Sequence, residues 1–199
     1  MFIQVVRSKA KDPAGLKAAM EKWQTDVKPV AKGFVGATAG VADDGTHVAV
    51  VRFESEETAR ANSDLPEQSA WFKEVSKLMD GEPTFYDCSD VTLFMGGGSD
   101  DAGFVQVMVY KPTDLEKLKE LNEKVDPADM GRTDIIGGTS AVANDGTVID
   151  TTYFKSETEA REGEKKEMPA EMQTAMKEWG EVIGNVEYID LRDPWLYSA

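Results

Sequence analysis

The chain has 199 residues, of which 41% are hydrophobic and 30% charged, and a net charge of −15 at pH 7. That balance suits a folded chain, and an anionic surface of this strength excludes nucleic acid and anionic membranes as partners, because both require a cationic face. With one cysteine, Cys88, and one histidine, His47, the chain cannot form an intramolecular disulfide, a thiolate zinc site or a multi-histidine metal centre.

No metal or other cofactor is therefore expected. No apolar run approaches the ~18 residues of a membrane span. The first strand-like run begins at Phe2, which leaves no room for a leader segment and points to the cytoplasm.

The elements of the first half follow in order. A β-run at 2–7 is succeeded by a helix with Pro13 in its first turn and an apolar stripe of Leu16, Met20, Trp23 and Val27. Two β-runs flank Asp44-Gly45, a hairpin signal of the type I′ kind. Ser55 opens a second helical region, which Pro66 interrupts and restarts and whose later part buries Trp71, Val75 and Leu78. A last β-run covers 84–94.

The chain then repeats itself. The segment 36–60 and the segment 137–161 align without gaps over 25 positions with 12 identities, including Asp44-Gly45-Thr46 against Asp145-Gly146-Thr147 and Phe53 against Phe154. Phe2–Val6 answers Phe104–Met108, Pro13 and Leu16 answer Pro112 and Leu115, and Leu65-Pro66 answers Met168-Pro169. Lys73 answers Lys177, and Asp87, Asp90 and Leu93 answer Asp190, Asp193 and Leu196.

The second half thus carries a β-run at 104–110, a helix with Pro112 in its first turn and a stripe of Leu115, Leu118, Leu121 and Val125, and a hairpin at Asp145-Gly146. A capping box of Ser156 with Glu159 starts its next helical region, whose later part buries Met172, Met176, Trp179 and Ile183, and a β-run at 186–191 follows. The boundaries expected are 1–95 for the first repeat, a Gly-rich linker at 96–103, and 104–199 for the second.

The order βαββαβ in each half predicts an α+β chain of two ferredoxin-like units, each an antiparallel sheet with both helices on one face. The bare face of such a sheet needs cover. Runs such as THVAVVRF, apolar on both faces, suit a sheet covered on both sides, so the halves are expected to pack sheet to sheet as an intrachain dimeric α/β-barrel. A chain satisfied in this way is expected to be a monomer.

The pattern of Asp-Gly-Thr, strand, FESEE, helix and the run from Trp71 to Asp87 resembles the antibiotic biosynthesis monooxygenase group of the dimeric α/β-barrel superfamily, here as a tandem duplication. The resemblance implies a small-molecule ligand, with cofactor-free oxygenation of aromatic compounds and haem degradation among the family's activities. Cofactor-free members carry an Asn and a Trp on the strand after the turn. Those positions are Ala49 and Phe53 in one half and Asp150 and Phe154 in the other, so neither half keeps the pair. Haem-degrading members use a His in the second helix, where this chain has Gln68 and Glu171.

Three groups of residues remain as site candidates. Alternation places Asp150, Thr152 and Phe154 on one face of a strand. A carboxylate facing a cleft there would have a raised pKa and could accept a proton, whereas an Asp paired with a neighbouring Lys or Arg would be structural. Phe53 and Trp71, and Phe154 and Trp179, could line pockets for an aromatic ligand, although packing alone also accounts for them. His47, just after a turn, reads as a partly exposed side chain with a haem ligand or general base as its other reading. Cys88 reads as a small buried residue, and Trp195 as an anchor for the C-terminal tail. The expected function is a small-molecule pocket protein resembling cofactor-free monooxygenases. The alternative is a non-catalytic binding or assembly protein, and haem binding is a distant third.

Overall fold

The computed structural model of the chain describes residues 1–124, 131–167 and 169–199, with the backbone alone of Glu171. Val125 and Met168, used above in the stripe and the repeat, lie outside the described residues. The chain forms two compact units, residues 1–91 with 193–199, and residues 92–192.

The first unit contains β1 (Phe2–Ala10), α1 (Pro13–Asp26), β2 (Phe34–Val41), β3 (Thr46–Phe53), α2 (Glu56–Ser63), α3 (Pro66–Val75) and most of β4 (Met79–Phe94). The second contains β5 (Phe104–Tyr110), α4 (Leu115–Asn122), β6 (Ile135–Ala143), β7 (Val148–Phe154), α5 (Glu157–Gly163), α6 (Ala170–Ile183) and β8 (Val186–Leu191). A final strand, β9 (Trp195–Ser198), belongs to the first unit. The strands run β4-β1-β3-β2 in the first unit and β8-β5-β7-β6 in the second, which is the ferredoxin-like order twice over.

Each unit takes in a short piece of the other repeat. In the first, β9 pairs antiparallel with β2, with Trp195 opposite Ala39. The Trp195 ring is buried in a cluster with Leu16, Met20 and Ala49. So the residue read as a tail anchor is a core residue on a strand. In the second unit, the end of β4 brings the Phe94 ring against Gly138, where a side chain on residue 138 would collide with it.

The helix starts follow from their caps. Asp12 accepts from the Gly15 N–H at 3.0 Å, and Pro13 occupies the first helical position of α1, where its missing N–H costs nothing. All four stripe residues of α1 are buried. Each contributes roughly 1.5–3 kcal/mol, so the packed face, more than intrinsic propensity, holds this helix in place. In the second repeat Asp114 caps α4 through the Lys117 N–H at 3.0 Å. Pro112 therefore precedes the helix and does not sit in its first turn. Ser55 and Thr58 form a full reciprocal capping box at α2, while Ser156 accepts from the Glu159 N–H at 3.2 Å at α5.

Both hairpins correct the expected turn type. A type I′ turn needs positive φ at both central residues, but only the glycines have it, Gly45 at 81° and Gly146 at 82°. Gly45 N–H donates to the Ala42 carbonyl at 2.9 Å and Ala42 N–H to the Thr46 carbonyl at 2.8 Å, with the same pair of bonds at Ala143, Gly146 and Thr147. This is a three-residue loop, a type I turn closed by a left-handed glycine. The Asp side chain locks it: Thr46 N–H donates to Asp44 at 2.8 Å and Thr147 N–H to Asp145 at 2.9 Å.

Candidate functional site

Strand β3 faces its helices with Ala49, Val51 and Phe53, and β7 does so with Asp150, Thr152 and Phe154. Each trio lines a cavity in its own unit, as the period-two reading requires. The two cavities differ greatly in size. The one in the first unit holds about 80 Å³ and the one in the second about 600 Å³. Of these two, the second falls in the range of small-molecule sites, roughly 300–1,000 Å³; a polar outer cavity of the first unit, about 310 Å³ at Gln4, Arg60 and Asp87, lies at its lower edge.

The first cavity is filled by its own aromatic side chains. Trp23 lies 4.8 Å from Phe34, and Phe34 meets Phe53 edge-on at 6.3 Å. Trp23 donates its indole N–H to Gln68 at 2.7 Å and Trp71 donates to the Ala19 carbonyl at 2.7 Å. Phe53 and Trp71 thus sit at one small cavity.

His47 lies at the same cavity and is buried, with 3% of its surface exposed, which corrects its reading as a turn-side residue. It is the second residue of β3 and is covered by the Trp195 ring at 6.2 Å. Nδ1 and the Ser8 hydroxyl are 3.1 Å apart, and Nε2 has no hydrogen-bond partner among the described residues. Burial pushes its pKa down to about 4, so the imidazole is neutral at pH 7.

In the second unit the corresponding positions carry smaller or more polar groups. The alignment sets Asn122 at the place of Trp23, Ile135 at that of Phe34 and Met176 at that of Phe72. Residues Met172, Met176 and Trp179 of α6 were expected in the core, but they are half-buried and only Ile183 is fully covered. Met176 and Trp179 stand over the cavity instead. Trp179 donates its indole N–H to Asn122 at 3.0 Å and meets Tyr110 edge-on at 6.5 Å. Phe154 and Trp179 are therefore brought together with Asp150 at one open cavity.

Asp150 is 8% exposed. Its cross-strand neighbours are Met108 and Ser140, so no cation on an adjacent strand faces it. The Tyr110 hydroxyl donates to its Oδ2 at 2.8 Å from the diagonal position on β5, and the Ser140 hydroxyl lies beside it on β6. Oδ1 has no hydrogen-bond partner among the described residues. Burial pushes the Asp150 carboxyl above the usual carboxylate range, while the Ser140 and Tyr110 hydroxyls oppose the shift. Burial and the neighbouring carboxyl push the Tyr110 phenol up as well. An aromatic-walled cavity with a carboxyl of raised pKa can hold a flat ligand and exchange a proton with it.

The mouth of this cavity is ionic. Arg161 pairs with Asp190 and, at 2.8 Å, with Glu164, and Gln106 donates to Asp190 at 2.9 Å. Arg132 grips Asp134 with bonds of 2.8–3.1 Å. Burial works against the charge on Asp134, yet these bonds hold its carboxyl below its ordinary range. The Gln–Asp pair recurs in the first unit as Gln4 donating to Asp87 at 2.8 Å.

Tyr110, Ser140 and Arg161 were not among the residues singled out from sequence. Alternation along β5 and β6 carries the signal for the first two, since Tyr110 and Ser140 fall on the face that Asp150 occupies. Cys88 is buried, as expected. Among the described residues no cluster of His, Cys, Asp or Glu could hold a metal ion, and no helix is long and apolar enough to cross a membrane.

The sequence matches no protein-family model and no curated protein. Several solved structures match along almost the whole chain. A candidate monooxygenase from Fusobacterium nucleatum matches with a TM-score of 0.80 at 10% identity, covering 99% of this chain and 94% of that one. Another, from Lactobacillus acidophilus, matches at 0.72 and 13% identity, covering 98% of each. A staphylococcal protein described as a major regulator of pathogenesis matches at 0.58 and 11% identity, covering 96% of this chain and 98% of that one. At these identities the likeness is one of fold. The chain is an α+β protein of two ferredoxin-like units with the monooxygenase-like fold that its sequence resembles, in duplicated form.

Proposed function

We propose that the second unit is the working half, that its cavity binds a hydroxylated aromatic molecule, and that Asp150 receives the phenolic proton in a metal-free oxygenation. The observation that carries this reading is the ~600 Å³ cavity walled by Phe154 and Trp179, with the Asp150 carboxyl on its strand wall and Oδ1 unpartnered. Tyr110 holds Oδ2, while Oδ1 is covered and unpartnered, so a ligand hydroxyl reaches it once the carboxyl turns toward the cavity.

A phenol is acidic only near pH 10, so a positioned base is needed for it to react near neutrality. Proton transfer to Oδ1 leaves an electron-rich phenolate, which dioxygen can oxidise. One oxygen atom then enters the ring as a carbonyl in place of C–H, and the other leaves as water. The raised pKa of Asp150 places this base closer to the working pH than an ordinary carboxylate.

The test is dioxygen uptake with naphthol and dihydroxynaphthalene substrates, comparing wild type with Asp150→Asn and Asp150→Ala. The expected loss is about 100-fold or more, as for removal of a general base, with binding of the same compounds kept. Equal rates in the variants would end the base assignment.

A non-catalytic binding role is the second reading, and one observation favours it. The Asn and Trp positions that the resemblance ties to cofactor-free oxygenation hold Ala49 and Phe53 in one unit and Asp150 and Phe154 in the other. Tight binding of the aromatic without oxygen uptake would select this reading.

A further inference from the structure

We infer that the ligand of the second cavity is uncharged, because the cations at that cavity are already matched or outnumbered by carboxylates. This rests on the proposed reading of the cavity as an aromatic site and narrows its ligand class.

Two arginines line the cavity, Arg132 and Arg161, and an arginine at an aromatic site would ordinarily suggest recognition of a carboxylate or phosphate. Neither is free to do so. Arg132 is 19% exposed and makes a bidentate pair with Asp134, whose side chain is 5% exposed. That pair uses Nε and Nη2 of Arg132, with Lys166 also acting on Asp134, and its guanidinium sits 6.0 Å from the Phe154 ring centre. Arg161 is shared between Asp190 and Glu164, with Glu157 at 3.5 Å, and lies 5.3 Å over the Phe104 ring. Arg192 adds one cation to this group, with bonds to Glu157 at 2.7 and 2.8 Å. The cluster at the mouth therefore sets two arginines against Glu157, Glu164 and Asp190. It leaves one negative charge in excess, within a chain of net charge −15.

An anionic ligand would have to displace a carboxylate already bonded to Arg161 and enter against that excess, and like charges at a shared site are strongly disfavoured. A neutral molecule with polar groups at both ends meets no such cost. One hydroxyl can reach Asp150, and a second can bond with the Gln106, Asp190 and Arg161 group without losing an ion pair. A cation would be drawn to the mouth, but the far wall gives it only Asp150, whose burial disfavours a charge there.

Isothermal titration at pH 7 with two probes on the same ring skeleton tests this. They are 2,6-dihydroxynaphthalene, which is neutral, and 6-hydroxy-2-naphthoate, which is ionised because aryl carboxyls titrate near 4. The neutral probe is expected to bind about tenfold tighter or more. The gap should narrow in the double variant Asp190→Asn/Glu164→Gln, which frees Arg161, through tighter binding of the carboxylate. Equal or tighter binding of the carboxylate to wild type would overturn the inference and leave the aromatic pocket standing. Failure of both probes to bind would overturn the pocket reading together with the inference.

Discussion

The two units share a strand order, a turn sequence and a Gln–Asp bond, yet they treat the space between sheet and helices in opposite ways. The first fills its inner part with Trp23, Phe34 and Phe53 and leaves about 80 Å³ there, apart from a separate outer cavity of about 310 Å³ at Gln4, Arg60 and Asp87. The second has Asn122 and Ile135 where the first has Trp23 and Phe34, and leaves about 600 Å³. Duplication allows this division. In the first unit aromatic side chains gain burial energy, and in the second the same space is left less packed.

The buried polar groups divide likewise. His47 sits neutral in the filled unit, with its pKa pushed down to about 4, while Asp150 sits in the open unit with its pKa pushed up.

The largest expected effect tests the packing half of this contrast. Trp23→Ala should destabilise by about 3–5 kcal/mol, through lost burial and a new void. The corresponding Asn122→Ala should cost only about 1 kcal/mol, the worth of its single bond from Trp179. Urea unfolding of both variants checks this, and equal costs would break the contrast.

The two titrating groups give the next effect, with opposite signs. Because the folded pKa of His47 lies below the unfolded value of 6.5, the unfolded chain takes up its proton first on acidification. Stability contributed by neutral His47 is therefore present above pH 6.5 and is lost as pH falls towards 4, by roughly 3 kcal/mol. His47→Val, which installs the residue of the other repeat, should flatten that slope. Asp150 behaves in the reverse way. Its folded pKa exceeds the unfolded 3.8, so stability is present below that value and is lost as pH rises through the folded pKa. Asp150→Asn should therefore raise stability near pH 7 more than near pH 4, which thermal unfolding at the two pH values measures.

The smallest effect sharpens the assignment at Asp150. Tyr110→Phe removes a hydrogen bond that favours the ionised carboxyl. The inflection in dioxygen uptake should move to higher pH, whereas a purely structural role for Tyr110 would lower the rate without moving it.

Much of this was legible from the residues themselves. The repeat exposed the duplication, the α1 stripe marked four buried positions, and strand alternation placed Asp150, Thr152 and Phe154 on one wall. What escaped depends on contacts between segments distant in sequence. The strand at Trp195–Ser198 is four residues long and follows Pro194, and its pairing with β2 cannot be read from its own composition. That same pairing places Trp195 over His47 and turns an apparent surface histidine into a buried one. The half-burial of Met172, Met176 and Trp179 escaped for a similar reason. Helical periodicity shows which face turns inward, but not whether the space beneath it is filled.

The most direct test of the central claim is the stoichiometry of 2,6-dihydroxynaphthalene binding by isothermal titration. The account predicts one molecule per chain, lost when Thr152→Trp fills the second cavity and kept when Ala49→Leu fills the first. Two molecules per chain, or one that survives Thr152→Trp, would contradict it.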